Sequence, residues 1–223
     1  MKTPQLQLQL RPRPLFVLLF SSTFLHSMLA VHYALSPTPA TQPAPTDGSD
    51  FIRTSCNATL YPDICYTSLA GYSTSVQQNP ARLATAAIAL TLSKVKRVAV
   101  YVSNLSRQAD YGADPRAAAA IHDCFSNFGD AVDEIHGSLK QMRQLGSSAV
   151  HSGSKASFRF QMSNVQTWMS AALTDEDTCT DGFEDVPEGK VKKEVCDRAT
   201  YVKKLTSNAL ALVNTYADKE INL

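Results

Sequence analysis

The sequence lacks the short motifs that mark most enzyme active sites. It has no Cys-x-x-Cys pair, no glycine-rich phosphate-binding loop and no Gly-x-Ser-x-Gly nucleophile elbow. Beyond residue 34 it has only three histidines, His122, His136 and His151, and none of them lies in a recognisable nucleophile context. No candidate catalytic residue remains, so we expect a protein that is not an enzyme.

A metal-binding pattern is also missing. Asp133 and His136 are three residues apart, a spacing that puts both side chains on one face of a helix. A di-metal site in a helical bundle needs further carboxylates and a second such pair on another helix, and the sequence has no second pair. We therefore interpret Asp133 and His136 as part of a solvated helix face, and we expect no metal or other cofactor.

An excess of charge of either sign is absent as well. The chain has 21 basic and 20 acidic residues, and a nearly neutral protein is a poor candidate for binding nucleic acid or a membrane surface. After the N-terminal segment, no apolar run reaches the roughly 20 residues that a membrane-spanning helix needs. We therefore expect neither nucleic acid nor a membrane among the partners.

The N-terminus has the composition of an export signal. Basic residues precede an apolar stretch at 15–29, which is short for a membrane span. We interpret residues 1–34 as a signal peptide that is cleaved after Ala30 or Ala34, with an uncleaved anchor as the alternative. The mature protein is then expected outside the cell.

A proline-rich linker is predicted after the signal. Four prolines lie between residues 36 and 45, and proline is not compatible with a helix interior. We interpret residues 35–50 as an extended tether. The folded domain is predicted over residues 51–220, a length that suffices for a single domain with its own core.

Four long segments carry apolar residues at the spacing of an amphipathic helix. They span about 80–110, 114–145, 158–183 and 191–216. Asn79-Pro80 and Asp114-Pro115 mark the starts of the first two segments, because proline suits the first helical turn. No segment alternates with a period of two, so no sheet is expected. The pattern predicts an all-α, up-and-down four-helix bundle.

The five cysteines predict two disulfides and one free thiol in an exported protein. Cys56 and Cys65 lie close together and outside the helical segments, so we expect them to pair. Cys124 and Cys179 both fall on inward helix faces and are paired here, which leaves Cys196 as a free, buried thiol. A Cys179–Cys196 bridge is the alternative, because the sequence alone does not determine connectivity.

Two further features concern the surface. Asn57 and Asn104 each begin an Asn-x-Ser/Thr sequon and are candidate glycosylation sites.

A Cys124–Cys179 bridge would also bring two acidic helix segments together. Their acidic residues are Asp130, Asp133 and Glu134 on one helix, and Asp175, Glu176, Asp177 and Asp181 on the other. Such residues ordinarily form a solvated surface; a binding surface is the alternative.

Several sequence blocks resemble the plant invertase and pectin methylesterase inhibitor family. They are the Cys56–Cys65 spacing, the DAVDEI block at 130–135, the VQTWMSAALTDEDTCTDGFED block at 165–185 and the LTSNALALVN block at 205–214. The resemblance covers about residues 51–220. It implies that a short N-terminal helical hairpin precedes the bundle, that the preferred disulfide pairing holds, and that the protein is secreted to the cell wall.

The resemblance also implies a function and a target. Members of the family bind their enzyme across its substrate cleft, and the matching positions for contact with a pectin methylesterase are Asp130, Asp133, Thr178 and Asp181. Ser126 stands where an acidic contact is expected. The implied activity is inhibition of pectin methylesterase by a monomer in a stoichiometric complex. Inhibition of cell-wall or vacuolar invertase is the alternative, although the Pro-Lys-Phe motif frequent in that branch is absent.

Overall fold

The computed structural model describes residues 48–109, 114–146 and 154–221, and these residues form helices without any strand. The helices are α1 (Gly48–Cys56), α2 (Pro62–Leu69), a 3-10 turn (Ala70–Tyr72), α3 (Ser73–Val76), α4 (Pro80–Ala109), α5 (Pro115–Leu145), α6 (Lys155–Asp181) and α7 (Lys190–Ile221). The predicted all-α fold is confirmed. The predicted signal peptide and all but the last three residues of the predicted linker lie outside the described residues.

Helix α1 begins earlier than the sequence analysis predicted. Gly48, Ser49 and Asp50 were assigned to the linker, but they form the first turn of α1. Asp50 suits that position because a carboxylate is favourable near a helix N-terminus. A Cβ atom on Gly48 would lie 2.5 Å from the carbonyl oxygen of Ser73, so the close approach of α1 to α3 requires glycine here.

The four long helices form the predicted bundle. Helices α4 and α6 each pack against both α5 and α7, so the α5/α6 edge of the bundle lies opposite the α4/α7 edge. The start of α5 follows from its sequence: the Asp114 side chain accepts a hydrogen bond from the Arg116 amide, and Pro115 occupies the first turn. None of the described helices combines the length and hydropathy that crossing a membrane requires.

The ends of α6 and α7 differ from the prediction. Helix α6 begins at Lys155, three residues before the predicted start, because the Ser154 hydroxyl caps it by accepting a hydrogen bond from the Ser157 amide at 3.2 Å. Helix α7 continues beyond its predicted end to Ile221, and Ala217 in this extension is buried. Polar terminal turns carry little apolar periodicity, so the sequence pattern did not mark them.

One buried amide helps to attach the N-terminal hairpin of α1 and α2 to the bundle, beside the apolar packing of Ile52 and Leu69. Asn208 of α7 accepts a hydrogen bond from the Tyr61 amide at 3.1 Å and donates one to the Tyr61 carbonyl at 2.9 Å. The Lys204 ammonium also lies over the Tyr61 ring, 5.4 Å from its centroid. The turn between α1 and α2 is thereby held against the last helix.

Candidate functional site

The structure contains two disulfides. Cys56–Cys65 links α1 to α2, and Cys124–Cys179 links α5 to α6 with a Cα–Cα distance of 4.3 Å. These are the pairs preferred in the sequence analysis, and the alternative Cys179–Cys196 bridge is not formed. Cys196 is free, but it is half-buried rather than fully buried, and burial raises the pKa of its thiol. A raised pKa lowers the fraction of reactive thiolate at neutral pH.

Helices α5 and α6 run antiparallel and are held in register over several turns. Gly137 lies against the Trp168 ring, where an added Cβ would be 3.4 Å from the nearest ring carbon. The Gln141 side chain donates a hydrogen bond to Gln161 at 2.9 Å. Together with the Cys124–Cys179 bridge, these contacts fix the position of the polar side chains along this edge.

The polar side chains on this edge meet in a row, which we call the α5/α6 seam. The seam consists of Asn127, Asp130 and Glu134 from α5 and Asp175 and Thr178 from α6. On α5 the three residues are three or four positions apart, so they occupy one side of the helix. Asp175 and Thr178 share one side of α6 for the same reason.

Glu134 and Asp175 form the centre of the seam and are joined by a hydrogen bond. Burial raises the pKa of Glu134 to about 7, with further contributions from a hydrogen bond to Asp175 and from the negative charges of Asp175 and Asp130. Burial also raises the pKa of Asp175, while its hydrogen bond to Glu134 acts in the opposite direction. Ionising both carboxyls of the pair is therefore disfavoured.

Two polar atoms of the seam lack a hydrogen-bond partner. The Asn127 Nδ2 and the Glu134 Oε2 are both buried without one. Buried polar atoms are nearly always paired, and leaving one unpaired costs about 1–3 kcal/mol. Asn127 was not among the predicted site residues, although its spacing of three residues from Asp130 and seven from Glu134 was a signal for it.

The four expected target contacts lie on or beside the seam. Asp130 precedes Glu134 by one turn, and Thr178 follows Asp175 by almost one turn. The Thr178 hydroxyl donates to the Thr174 carbonyl at 2.8 Å, which leaves its oxygen available to accept. Asp133 and Asp181 are exposed on the outer sides of α5 and α6. All four side chains can be reached from outside the bundle.

Glu176 does not belong to the acidic surface predicted around Cys179. It faces α7 and is fully buried, with its Oε1 accepting a hydrogen bond from the Thr206 hydroxyl at 2.8 Å. Its Oε2 has no hydrogen-bond partner. Burial is the main cause that raises the pKa of Glu176 to about 8. Asp177 also points towards α7, where it forms an ion pair with Lys203.

The comparison with known families matches this architecture. The family model described as plant invertase/pectin methylesterase inhibitor matches residues 50–212. The chain belongs to this family. A 21 kDa protein of Daucus carota is 39% identical over 200 residues, which cover 89% of this chain and 96% of that protein. Pectinesterase inhibitor 9 of Arabidopsis thaliana is 36% identical over 214 residues, 95% of this chain and 97% of that protein.

A solved structure shares the fold of this family member. The crystal structure of a mutant form of a pectin methylesterase inhibitor from Arabidopsis matches 73% of this chain and 95% of that chain, with a TM-score of 0.56 and 21% sequence identity. The helical bundle of the family is therefore the fold of this chain as well.

The remaining predicted positions of this family member are on its surface. Asn57 is exposed in the turn after α1, and Asn104 is exposed on α4. Among the residues that the structure describes, no group of three histidine, cysteine or acidic side chains is arranged to hold a metal ion. His136 is exposed on α5, as is Asp133.

Proposed function

We propose that this protein inhibits pectin methylesterase by covering the enzyme's substrate cleft in a stoichiometric complex, and so limits the demethylesterification of pectin in the cell wall. The observation that carries the proposal is the α5/α6 seam, where a disulfide holds two helices so that exposed acidic and hydroxyl side chains line one edge. Family membership supports the same activity, and several relatives bear the name pectinesterase inhibitor.

The seam suits contact with another protein for two physical reasons. Its side chains stand on helices that are already fixed, so binding orders few groups and loses little entropy. Asp130 and Thr178 are exposed on the seam, and their oxygens can accept hydrogen bonds from a partner's groups. Together with the exposed Asp133 and Asp181, they would determine the register of the complex.

The proposal includes the setting in which the inhibitor acts. It works as a secreted monomer in the apoplast and performs no catalysis of its own. Both disulfides support this setting, because such bridges persist in oxidising, extracellular compartments. Asn57 and Asn104 would carry glycans there, and both asparagines are exposed.

A titration of enzyme activity tests the proposal directly. Purified protein is added to a plant pectin methylesterase, and released acid is followed; we expect activity to fall to a plateau at an equimolar ratio. Asp133→Asn combined with Thr178→Ala is expected to weaken inhibition about tenfold, a loss of about 1.4 kcal/mol. Asp63→Asn, which removes an exposed carboxylate on the hairpin, is the matched control. Full esterase activity at micromolar inhibitor would refute the proposal.

The same preparation distinguishes the esterase from the invertase target. We expect acid invertase to retain its activity at concentrations that inhibit the esterase, because the Pro-Lys-Phe motif is absent from the chain. Inhibition of invertase alone would assign the alternative function to this family member.

Inhibition is expected to weaken as pH rises from 6 to 8. Below its pKa of about 7, Glu134 is neutral; above it, its negative charge lies beside Asp175 and Asp130. Covering an additional carboxylate at an interface costs free energy. The inhibition constant at pH 8 should therefore be about tenfold higher for each unit by which complex formation raises the pKa of Glu134. The measurement is the inhibition constant of wild type and Glu134→Gln across this range. Ionisation of groups on the enzyme affects wild type and Glu134→Gln alike. Identical slopes of the inhibition constant against pH would therefore contradict the role of Glu134.

A further inference from the structure

The bundle carries basic charge on the edge opposite the α5/α6 seam. Helix α4 has five basic residues and no acidic one. Tyr101 of α4 contacts α7, where the Arg198 guanidinium lies 4.3 Å from the Tyr101 ring centroid. Arg97 and Lys94 follow on the same side of α4 at steps of four and three residues towards its N-terminus. A basic face thus begins at the contact between α4 and α7.

The antiparallel course of α7 extends this face. The N-terminal part of α7 lies beside Tyr101, and Leu83 and Leu212 line one groove at the other end of α4. The direction from Tyr101 to Arg97 and Lys94 along α4 is therefore the same as the direction from Arg198 to Lys204 along α7. We call Lys94, Arg97, Arg198 and Lys204 the basic face.

No side chain of the basic face forms an ion pair with a described residue. The ion pairs among described residues involve Arg116 of α5 and four lysines of α7, which are Lys190, Lys192, Lys193 and Lys203. Glu194, the acidic residue closest to Tyr101, accepts a hydrogen bond from the Tyr101 hydroxyl at 2.6 Å and pairs with Lys190. Four cations on one face, none of them in an ion pair and two of them over tyrosine rings, favour an anionic ligand.

An exposed tyrosine on this edge indicates which kind of anion would bind. The Tyr201 side chain is 44% exposed, and it lies one turn from both Arg198 and Lys204. An exposed tyrosine ring beside cations offers a flat apolar surface and fixed positive charges together. Pyranose rings with carboxylate groups fit both features, since the ring hydrogens pack on the aromatic face and the carboxylates pair with arginine and lysine.

We propose that the basic face binds demethylesterified pectin, a linear polymer of uronic acid residues. This inference rests on the proposed function, because removal of methyl esters by the target enzyme is the reaction that creates carboxylates on the polymer. The seam and the basic face lie on opposite edges of the bundle, so enzyme and polymer can be bound at the same time. The inhibitor would then be retained at the places in the wall where the enzyme has already acted.

The test compares one polymer in two charge states. Deglycosylated protein, used because Asn104 also lies on α4, is sedimented with polygalacturonate and with the same polymer after methyl esterification. We expect wild type to bind polygalacturonate at least tenfold more tightly, with affinity that falls as salt increases. Lys94→Gln/Arg97→Gln is expected to lose at least fivefold in affinity. Lys140→Gln/Arg143→Gln, which removes two exposed charges from α5, is expected to bind like wild type.

Three results would overturn the inference: equal binding to both polymers, equal losses in the two double variants, or equally tight binding to anionic lipid vesicles. Esterase inhibition, measured at a salt concentration that screens polymer binding, is expected to be unchanged in both double variants. Loss of polymer binding with intact inhibition therefore contradicts only the inference. Absence of inhibition with intact polymer binding contradicts only the proposed function.

Discussion

Ionisation of Glu176 is expected to cost the wild-type protein about 4 kcal/mol of folding free energy as pH rises from 4.5 to 8.5, and Glu176→Gln is expected to remove this part of the pH dependence. In the folded state Glu176 keeps its proton up to a pKa of about 8, compared with 4.5 for an ordinary glutamate. The stabilising contribution of protonated Glu176 is complete below pH 4.5. It is lost as pH approaches 8, because the unfolded chain releases the Glu176 proton at a lower pH than the folded protein does. Each unit of difference between the pKa values in the folded and unfolded states corresponds to about 1.4 kcal/mol of folding free energy.

The surroundings of Glu176 explain why its charged form is disfavoured. The side chain is buried between α6 and α7, and only Oε1 has a hydrogen-bond partner, the Thr206 hydroxyl. The neighbouring charges are Asp175 and Asp177, which disfavour ionisation, and Lys203, which favours it. Lys203 is already paired with Asp177. The Thr206 hydrogen bond and the Lys203 charge thus offset only part of the loss of hydration when Glu176 ionises.

Urea unfolding with both disulfides intact measures this effect. We expect wild type and Glu176→Gln to differ by less than about 1 kcal/mol at pH 5, because both side chains are then neutral. At pH 8.5 the variant should be the more stable protein by several kcal/mol. Glu134 and Asp175 titrate in both proteins, so their effect cancels in the difference. Parallel stability profiles would show that Glu176 ionises as freely in the folded state as in the unfolded state.

Removal of the bridge between α5 and α6 has the second large effect. Cys124→Ala/Cys179→Ala is expected to lose about 4 kcal/mol of stability, since the bridge closes a loop of 55 residues in the unfolded chain. Cys56→Ala/Cys65→Ala opens a loop of only 9 residues and should lose about 2.6 kcal/mol. The comparison of the two double variants by urea unfolding checks the dependence on loop length.

The same variants separate stability from binding. At a low temperature where both remain folded by circular dichroism, Cys124→Ala/Cys179→Ala should inhibit the esterase at least tenfold more weakly than Cys56→Ala/Cys65→Ala, because only the former bridge holds the seam in register. Equal inhibition by the two folded variants would show that the packing of α5 on α6 positions the seam without the disulfide.

The bundle could be predicted from the sequence wherever a local signal was strong. Pro80 and Pro115 fixed the starts of α4 and α5 to within a residue, because proline is favourable only in the first helical turn. The start of α1 was missed because it depends on the contact between Gly48 and Ser73, which is 25 positions away in the chain and leaves no trace in the local pattern. The hairpin itself was implied only by the family resemblance.

The candidate site was predicted less completely, because periodicity shows which helix face is buried but not which neighbour covers it. Asp175, Glu176 and Asp177 are consecutive acidic residues, yet they face α5, the core and the α7 edge in turn. The fourth apolar segment was predicted to begin at residue 191, but Val191 is 39% exposed, since it lies in the first turn of α7. Such differences depend on packing that a single helix pattern does not contain.

The amide clamp between Tyr61 and Asn208 has a consequence for biosynthesis. The two residues are 147 positions apart, and a ribosome adds about 5–20 residues per second. The turn after α1 therefore waits roughly 7–30 seconds for its partner to be synthesised, whereas Cys65 follows Cys56 within about two seconds at most. The hairpin can close its own bridge early, but its docking must be among the last steps of folding.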